Sequence, residues 1–119
     1  MLRTMLKSKI HLAQVSDVNV AYEGSLALDR DLMDAADLLE YERIWIADVD
    51  NGARLDTYVI EAPRQSGTVM VNGAAARLVR KGDRIIIFAY TDMPDADARC
   101  HKPIKVFPTD GNRRLRIER

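Results

Sequence analysis

Apolar positions alternate with polar ones, or run together briefly, in five segments rich in β-branched and aromatic residues: 9–15, 43–49, 54–60, 68–71 and 84–90. Each has the length and composition of a strand. Between the second and third lies Asp50-Asn51-Gly52, and Asn-Gly supplies the positive φ angles that a tight hairpin demands. A second hairpin is predicted where Asp110-Gly111-Asn112 separates 104–107 from 115–117, with Pro108 limiting how far its first strand pairs. The 3.6-residue period appears only briefly. Leu32, Ala35, Ala36 and Leu39 recur at that spacing over 31–39, behind Asp29 as cap. Two further short helices are expected, one over 73–78 that stops before Lys81-Gly82-Asp83, and an acidic one after Pro94. Six or more strands with three short helices point to a small mixed β-barrel, because an open sheet would leave pairing edges exposed.

Composition narrows the field without changing that picture. With 119 residues, 47% hydrophobic and 30% charged, the chain suits one globular domain over 1–119 rather than a disordered tail. The longest apolar run, 85–90, is far short of a membrane-spanning helix. The basic start, Met1 to Lys9, lacks the apolar core of a secretory signal, and Cys100 stands alone, so a reducing cytoplasmic setting is expected. Eighteen bases balance eighteen acids, which gives no reason to expect nucleic acid as a partner. The charge is unevenly spread, however. Residues 29–61 hold ten acids and three bases, whereas 99–119 hold seven bases and two acids, two stretches suited to meet across the fold or between subunits.

Three segments carry candidate chemistry. Tyr22-Glu23-Gly24-Ser25 reads most simply as a turn. It also places a hydroxyl after a glycine whose freedom permits strained geometry, so that the Ser25 oxygen can attack the Gly24 carbonyl and break the chain. In the strand 54–60, Arg54, Asp56 and Tyr58 share one face and Thr57 takes the other. The plain reading is an exposed Arg-Asp pair of little worth. The functional one gives Arg54 a substrate carboxylate to grip bidentately and Tyr58 a proton to transfer. Val71-Asn72-Gly73-Ala74-Ala75-Ala76 runs from strand to helix through small residues, which lets a ligand approach backbone N–H groups, although close packing alone would look the same.

Taken together, these segments resemble the pyruvoyl-dependent aspartate 1-decarboxylases. The likeness extends over nearly the whole chain, from Met1-Leu2-Arg3-Thr4-Met5-Leu6 and Lys9-Ile10-His11 through Tyr22-Glu23-Gly24-Ser25, Asp34-Ala35-Ala36, Asn51-Gly52-Ala53-Arg54 and Thr57-Tyr58 to Val71-Asn72-Gly73-Ala74-Ala75-Ala76. It implies a six-stranded double-psi β-barrel, a cytoplasmic homotetramer with active sites between subunits, and the conversion of L-aspartate to β-alanine for pantothenate and coenzyme A. It further implies cleavage into 1–24 and 25–119, with Ser25 becoming a covalent pyruvoyl cofactor that replaces pyridoxal phosphate as the electron sink. By the same resemblance Lys9 and Arg54 hold substrate carboxylates, and Tyr58 protonates the carbanion. Gly73, Ala74 and Ala75 line the substrate site, to which Thr57 also belongs. Thr57 donates to the Gly24 oxygen during cleavage, and Asn72 supports that step.

Leu12, Ala47 and Arg77 depart from residues common in the family, and Trp45 sits two positions before Ala47 on the same strand face. His11 and His101 lack ordinary ligand spacing, so no metal is expected. Cys100 beside His101 is read as a structural thiol, since neighbours on a strand point apart. Arg113-Arg114-Leu115-Arg116, without interleaved aromatics, is read as a solvated strand or an ion-pairing arm. The alternative of another class is a barrel that binds a partner without being cleaved. The joint presence of Gly24-Ser25, Thr57 and Tyr58 argues against it.

Overall fold

A computed structural model describes residues 1–119 as nine strands, two short α-helices and one 3-10 helix. The strands are β1 (Leu2–Gln14), β2 (Asp17–Asn19), β3 (Ser25–Asp29), β4 (Arg43–Asp48), β5 (Arg54–Ala62), β6 (Val69–Asn72), β7 (Arg84–Pro94), β8 (Ile104–Thr109) and β9 (Arg114–Glu118). Every predicted strand is present, and β1 and β7 are longer than their apolar patterns suggest. β3 and β2 are additional. All five residues of β3 are buried, so it shows no alternation, and it holds no β-branched residue.

The hydrogen-bonded order is β2-β6-β3-β5-β4-β7-β1-β8-β9. β2 continues the path of β1 after Val15 and Ser16, so the two ends of the run β6-β3-β5-β4-β7-β1 meet. Ser16 completes the join, its N–H donating to the Val69 carbonyl at 2.9 Å and its Oγ accepting from Val69 N–H at 2.8 Å. With β1 and β2 counted as one bent strand, the result is a closed six-stranded barrel of the double-psi type. Two parallel crossovers, β2 with β6 and β3 with β5, sit among antiparallel pairs. Closure removes the edges that an open sheet would expose. The bend in β1 falls between Ile10 and Ala13, where the register slips and Leu12 takes φ +61°.

The barrel is filled from all six strands. Ile10, Leu26, Leu28, Ile44, Ile46, Val59, Val69, Val71, Ile85 and Ile87 are each at most 1% exposed. Burying each such side chain contributes about 1.5–3 kcal/mol before entropy is charged against it. Outside the barrel, β8 pairs with β1 and β9 with β8. Pro108 does not shorten that hairpin: pairing continues through Pro108↔Leu115 to Thr109↔Arg114. It lies beyond Val106, the last residue of β8 paired with β1, where a missing N–H is tolerated.

Helix α1 covers Arg30–Ala35, and Asp29 caps it by accepting from Asp31 N–H at 2.8 Å. It ends before the predicted Leu39 because Asp37 turns left-handed at φ +56°, letting Leu38 N–H donate back to the Met33 carbonyl at 2.8 Å. Leu38 is therefore buried, and Leu39 is exposed. The segment after Asn72 is a 3-10 helix, Gly73–Arg77, and α2 (Asp95–Ala98) follows Pro94.

The acidic and basic stretches do not meet within the chain. Asp31 and Asp34 pair with Arg64, Glu42 with Lys7 and Asp50 with Arg84, while Arg114 and Arg116 pair locally with Asp110 and Glu118. No helix is long and apolar enough to cross a membrane.

Candidate active site

Ser25 opens β3, and strand register decides its neighbours. It pairs with Asn72 on β6, while the next residue, Leu26, pairs with Val59 on β5, adjacent to Tyr58. Ser25 is 1% exposed and Asn72 fully buried. Asn72 Nδ2 donates to Ser25 Oγ at 3.1 Å, and the Ser25 hydroxyl donates to the Glu23 carbonyl at 3.3 Å. Asn72 Oδ1, although buried, has no partner. An unpaired buried oxygen costs about 1–3 kcal/mol, so a folding requirement alone does not account for an amide here.

Gly24 stands at the opposite extreme. It is exposed, and nothing lies within 4 Å of the place where a Cβ would sit. The chain therefore passes from solvent to the interior across the Gly24–Ser25 bond. Gly73 holds that junction in place. At φ +73° it is left-handed, and a Cβ there would come within 2.6 Å of Gly24 Cα and 2.7 Å of Gly24 N. Only glycine satisfies both conditions.

A cavity of about 250 Å³ opens beside Ser25. Tyr58 lines it, as do Tyr22, Glu23, Glu40, Tyr41 and Glu61. The Tyr41 and Tyr58 rings lie tilted at 45° with centroids 6.3 Å apart. Sequence reasoning quoted Tyr22 and Glu23 without a role and passed over Tyr41, Glu40 and Glu61. Tyr41 takes φ +73° and precedes β4, where no local pattern marks it.

The remaining candidates fall elsewhere. Thr57 pairs with buried Ile44 and shares a strand face with buried Val59, on the side of β5 opposite Tyr58. Ala74 is exposed and Ala75 half-buried, and neither lines the cavity. Lys9 and Arg54 come together around Phe88. Lys9 pairs with Phe88, Phe88 with Trp45 and Trp45 with Asp56, so four side chains form a row across the outer sheet face. The Arg54 guanidinium lies 5.4 Å over the Phe88 ring. Asp56 pairs not with Arg54 but with Arg43 across the strands, at 2.7 Å, and Arg43 also stacks on Trp45. Ala47, opposite Arg54, leaves the arginine room to lean.

His101 Nε2 meets the Leu6 carbonyl at 2.6 Å. His11 packs edge-on against Phe107, and burial followed by the nearby Lys9 charge holds it below the usual histidine range.

Residues 1–115 match the family model described as aspartate decarboxylase. An aspartate 1-decarboxylase of Syntrophomonas wolfei is 56% identical over 98% of both chains. One of Heliobacterium modesticaldum is 53% identical over 93% of this chain and 84% of its own, and one of Clostridium beijerinckii 52% over 94% and 90%.

Proposed function

The chain belongs to the aspartate decarboxylase family, and from that premise we propose how its residues divide the work of a self-processing enzyme that converts L-aspartate to β-alanine and CO2. The observation that carries the reading is a buried serine hydroxyl, held by a buried asparagine, directly after an exposed glycine.

In processing, Ser25 Oγ attacks the Gly24 carbonyl carbon. The peptide C–N bond breaks, and an ester joins Gly24 to Ser25 Oγ. Loss of the Ser25 α-proton expels the Gly24 carboxylate and leaves dehydroalanine. Water then releases ammonia, and residues 25–119 begin with a pyruvoyl group. Asn72 Nδ2 fixes the hydroxyl at the start of this sequence. Its unpaired Oδ1 is an acceptor ready for a proton donor formed later. Thr57 donates to the Gly24 oxygen as charge develops there, a role that requires 22–24 to turn toward the barrel interior.

Once formed, the pyruvoyl group supplies a ketone that takes up the substrate amine and accepts the electrons released as CO2 departs. The Tyr58 hydroxyl, in the same cavity, delivers a proton to the carbon that CO2 has left. Lys9 and Arg54 hold the substrate carboxylates. Arg54 is four residues from Tyr58 along β5, about 13 Å at strand spacing, and it leans toward Phe88. Neither Lys9 nor Arg54 lines the cavity beside Ser25. We therefore assign the carboxylate grip at each cavity to the partner subunit's Lys9 and Arg54, within a homotetramer.

Intact mass under denaturing, reducing conditions tests this directly. The wild-type chain is expected to give two species, 1–24 and a ketone-bearing 25–119. Ser25→Ala is expected to stay whole and to release no β-alanine from aspartate. Release of β-alanine by Ser25→Ala would end the proposal.

A further inference from the structure

We propose that Asp48, Asp50 and Asp83 form a site for one hard divalent cation, Mg2+ or Ca2+, that joins the β4–β5 turn to the turn ahead of β7. One oxygen from each of the three carboxylates lies within 4.8 Å of the others. Asp48 is 2% exposed. Its Oδ1 accepts from Asp50 N–H at 2.8 Å and Asn51 N–H at 3.3 Å, yet its Oδ2 is buried with no partner at all. A carboxylate oxygen sealed from water and left unpaired beside another acid is costly unless a cation or a proton faces it. Burial, and then Asp83, push the Asp48 carboxyl above the ordinary carboxylate range, in keeping with that cost.

The charges around the cluster leave room for a divalent ion. Arg84 is the cation engaged there, donating to Asp50 Oδ1 at 2.8 Å from its guanidinium and to Oδ2 at 2.7 Å from its backbone N–H. Asp83 Oδ2 accepts Arg80 N–H at 2.9 Å, leaving Oδ1 for a ligand, while Arg80 and Lys81 are exposed. Three carboxylates against one guanidinium leave two negative charges. An all-oxygen donor set of this kind suits Mg2+ or Ca2+, with water completing the shell, and does not suit a thiophilic metal. The same turn feeds directly into Arg54, and Asp48 N–H is tied to the Ala53 carbonyl at 2.8 Å, so the ion would stiffen the start of β5.

The test uses the full-length protein freed of metal with EDTA, in KCl at matched ionic strength. MgCl2 and CaCl2 are titrated separately while the thermal midpoint is followed. A saturable rise of about 5–10 °C at about 100-fold over Kd is expected for the preferred ion. Asp48→Asn is expected to lose that rise and, without metal, to melt no lower than the wild type. Should Asp48→Asn fail to fold, Asp83→Asn serves in its place. Bound Mn2+, seen as loss of its free electron-spin signal, should be displaced by the preferred ion in the wild type and absent in the variant. No shift in the wild type, or an equal shift in the variant, overturns the proposal. Stabilisation on acidification with no rise in either metal titration would mean that Asp48 and Asp83 share a proton instead.

Discussion

At Ser25 the chain supplies its own partners. Around Phe88 it does not. The first region is buried, its hydroxyl fixed by Asn72 and its approach shaped by Gly73 against Gly24. The second lies on the outer face of β1, β7, β4 and β5, where Lys9 and Arg54 flank a phenylalanine while the neighbouring Asp56 is taken by Arg43. The chain cleavage proposed at Gly24–Ser25 is a reaction of one molecule with itself, and the group that holds its hydroxyl, Asn72, is set opposite Ser25 by strand register. The proposed grip on a dicarboxylate at the same cavity needs positive charge, and within one chain Arg54 lies over Phe88 instead. The difference separates two kinds of variant: those that stop cleavage, and those that cleave and then bind or react poorly.

The largest effect is expected from Gly73→Ala. A methyl group there meets Gly24 at under 3 Å and forces a left-handed alanine, which together cost about 2–5 kcal/mol. Because the displaced atoms are Gly24 Cα and N, the damage falls on the Gly24–Ser25 junction, where cleavage is proposed. The chain should remain uncut by intact mass while the barrel still melts cooperatively. Cleavage of Gly73→Ala at the wild-type rate would show that this close contact does not govern the junction.

Tyr58→Phe comes next and divides the regions from the other side. Tyr58 lines the Ser25 cavity but bonds neither Ser25 nor Asn72, so cleavage should proceed normally. Decarboxylation should then slow by about 10²–10⁴, the usual worth of a positioned proton donor, seen in kcat with KM little changed. An uncut Tyr58→Phe chain would move the hydroxyl from the second reaction to the first.

Arg54→Gln probes the open face. It should cut normally, keep its fold, and raise KM for aspartate about 10–100-fold, the range expected for losing charge-assisted hydrogen bonds to a carboxylate. Mixing Arg54→Gln with Ser25→Ala chains sharpens the comparison. If each cavity draws its arginine from a partner, mixed assemblies should regain a fraction of activity that neither variant has alone at low aspartate.

How far these regions were legible in the sequence differs for a physical reason. The barrel strands that alternate, such as β4 with its exposed Arg43 and buried Ile44 and Ile46, announce themselves. β3 does not, because neighbours cover both of its faces and Ser-Leu-Ala-Leu-Asp carries no strand preference of its own. Gly24-Ser25 and Asn72-Gly73 were visible as motifs, but the register that sets Ser25 against Asn72 is a long-range property that no local window contains. The flat-strand argument that sends Thr57 and Tyr58 to opposite faces held, and it is the reason Thr57 lies away from the cavity. Tyr41 was missed because its position depends on the chain turning left-handed just before β4.

The smallest expected effect concerns His11, on the same strand and face as Lys9. Its pKa is held below the histidine reference of 6.5, first by burial against Phe107 and then by the Lys9 charge. The unfolded chain therefore binds the proton more readily than the folded one. Its contribution is fully present above pH 6.5 and is lost as pH falls through that value toward the lower folded pKa. The urea midpoint of the wild type should drop between pH 7.5 and 5.5, and His11→Phe, which keeps the aromatic contact, should drop less. Asp31, held low by Gln65 and Arg64, and Asp95, held low by Arg99 and Arg3, titrate below this window. Asp48, pushed upward, acts with the opposite sign and cancels in the difference between the two proteins. Equal slopes for wild type and variant would mean that the proton on His11 is not felt by the fold. Lys9 would then stand on the open face without a measurable charge coupling to His11.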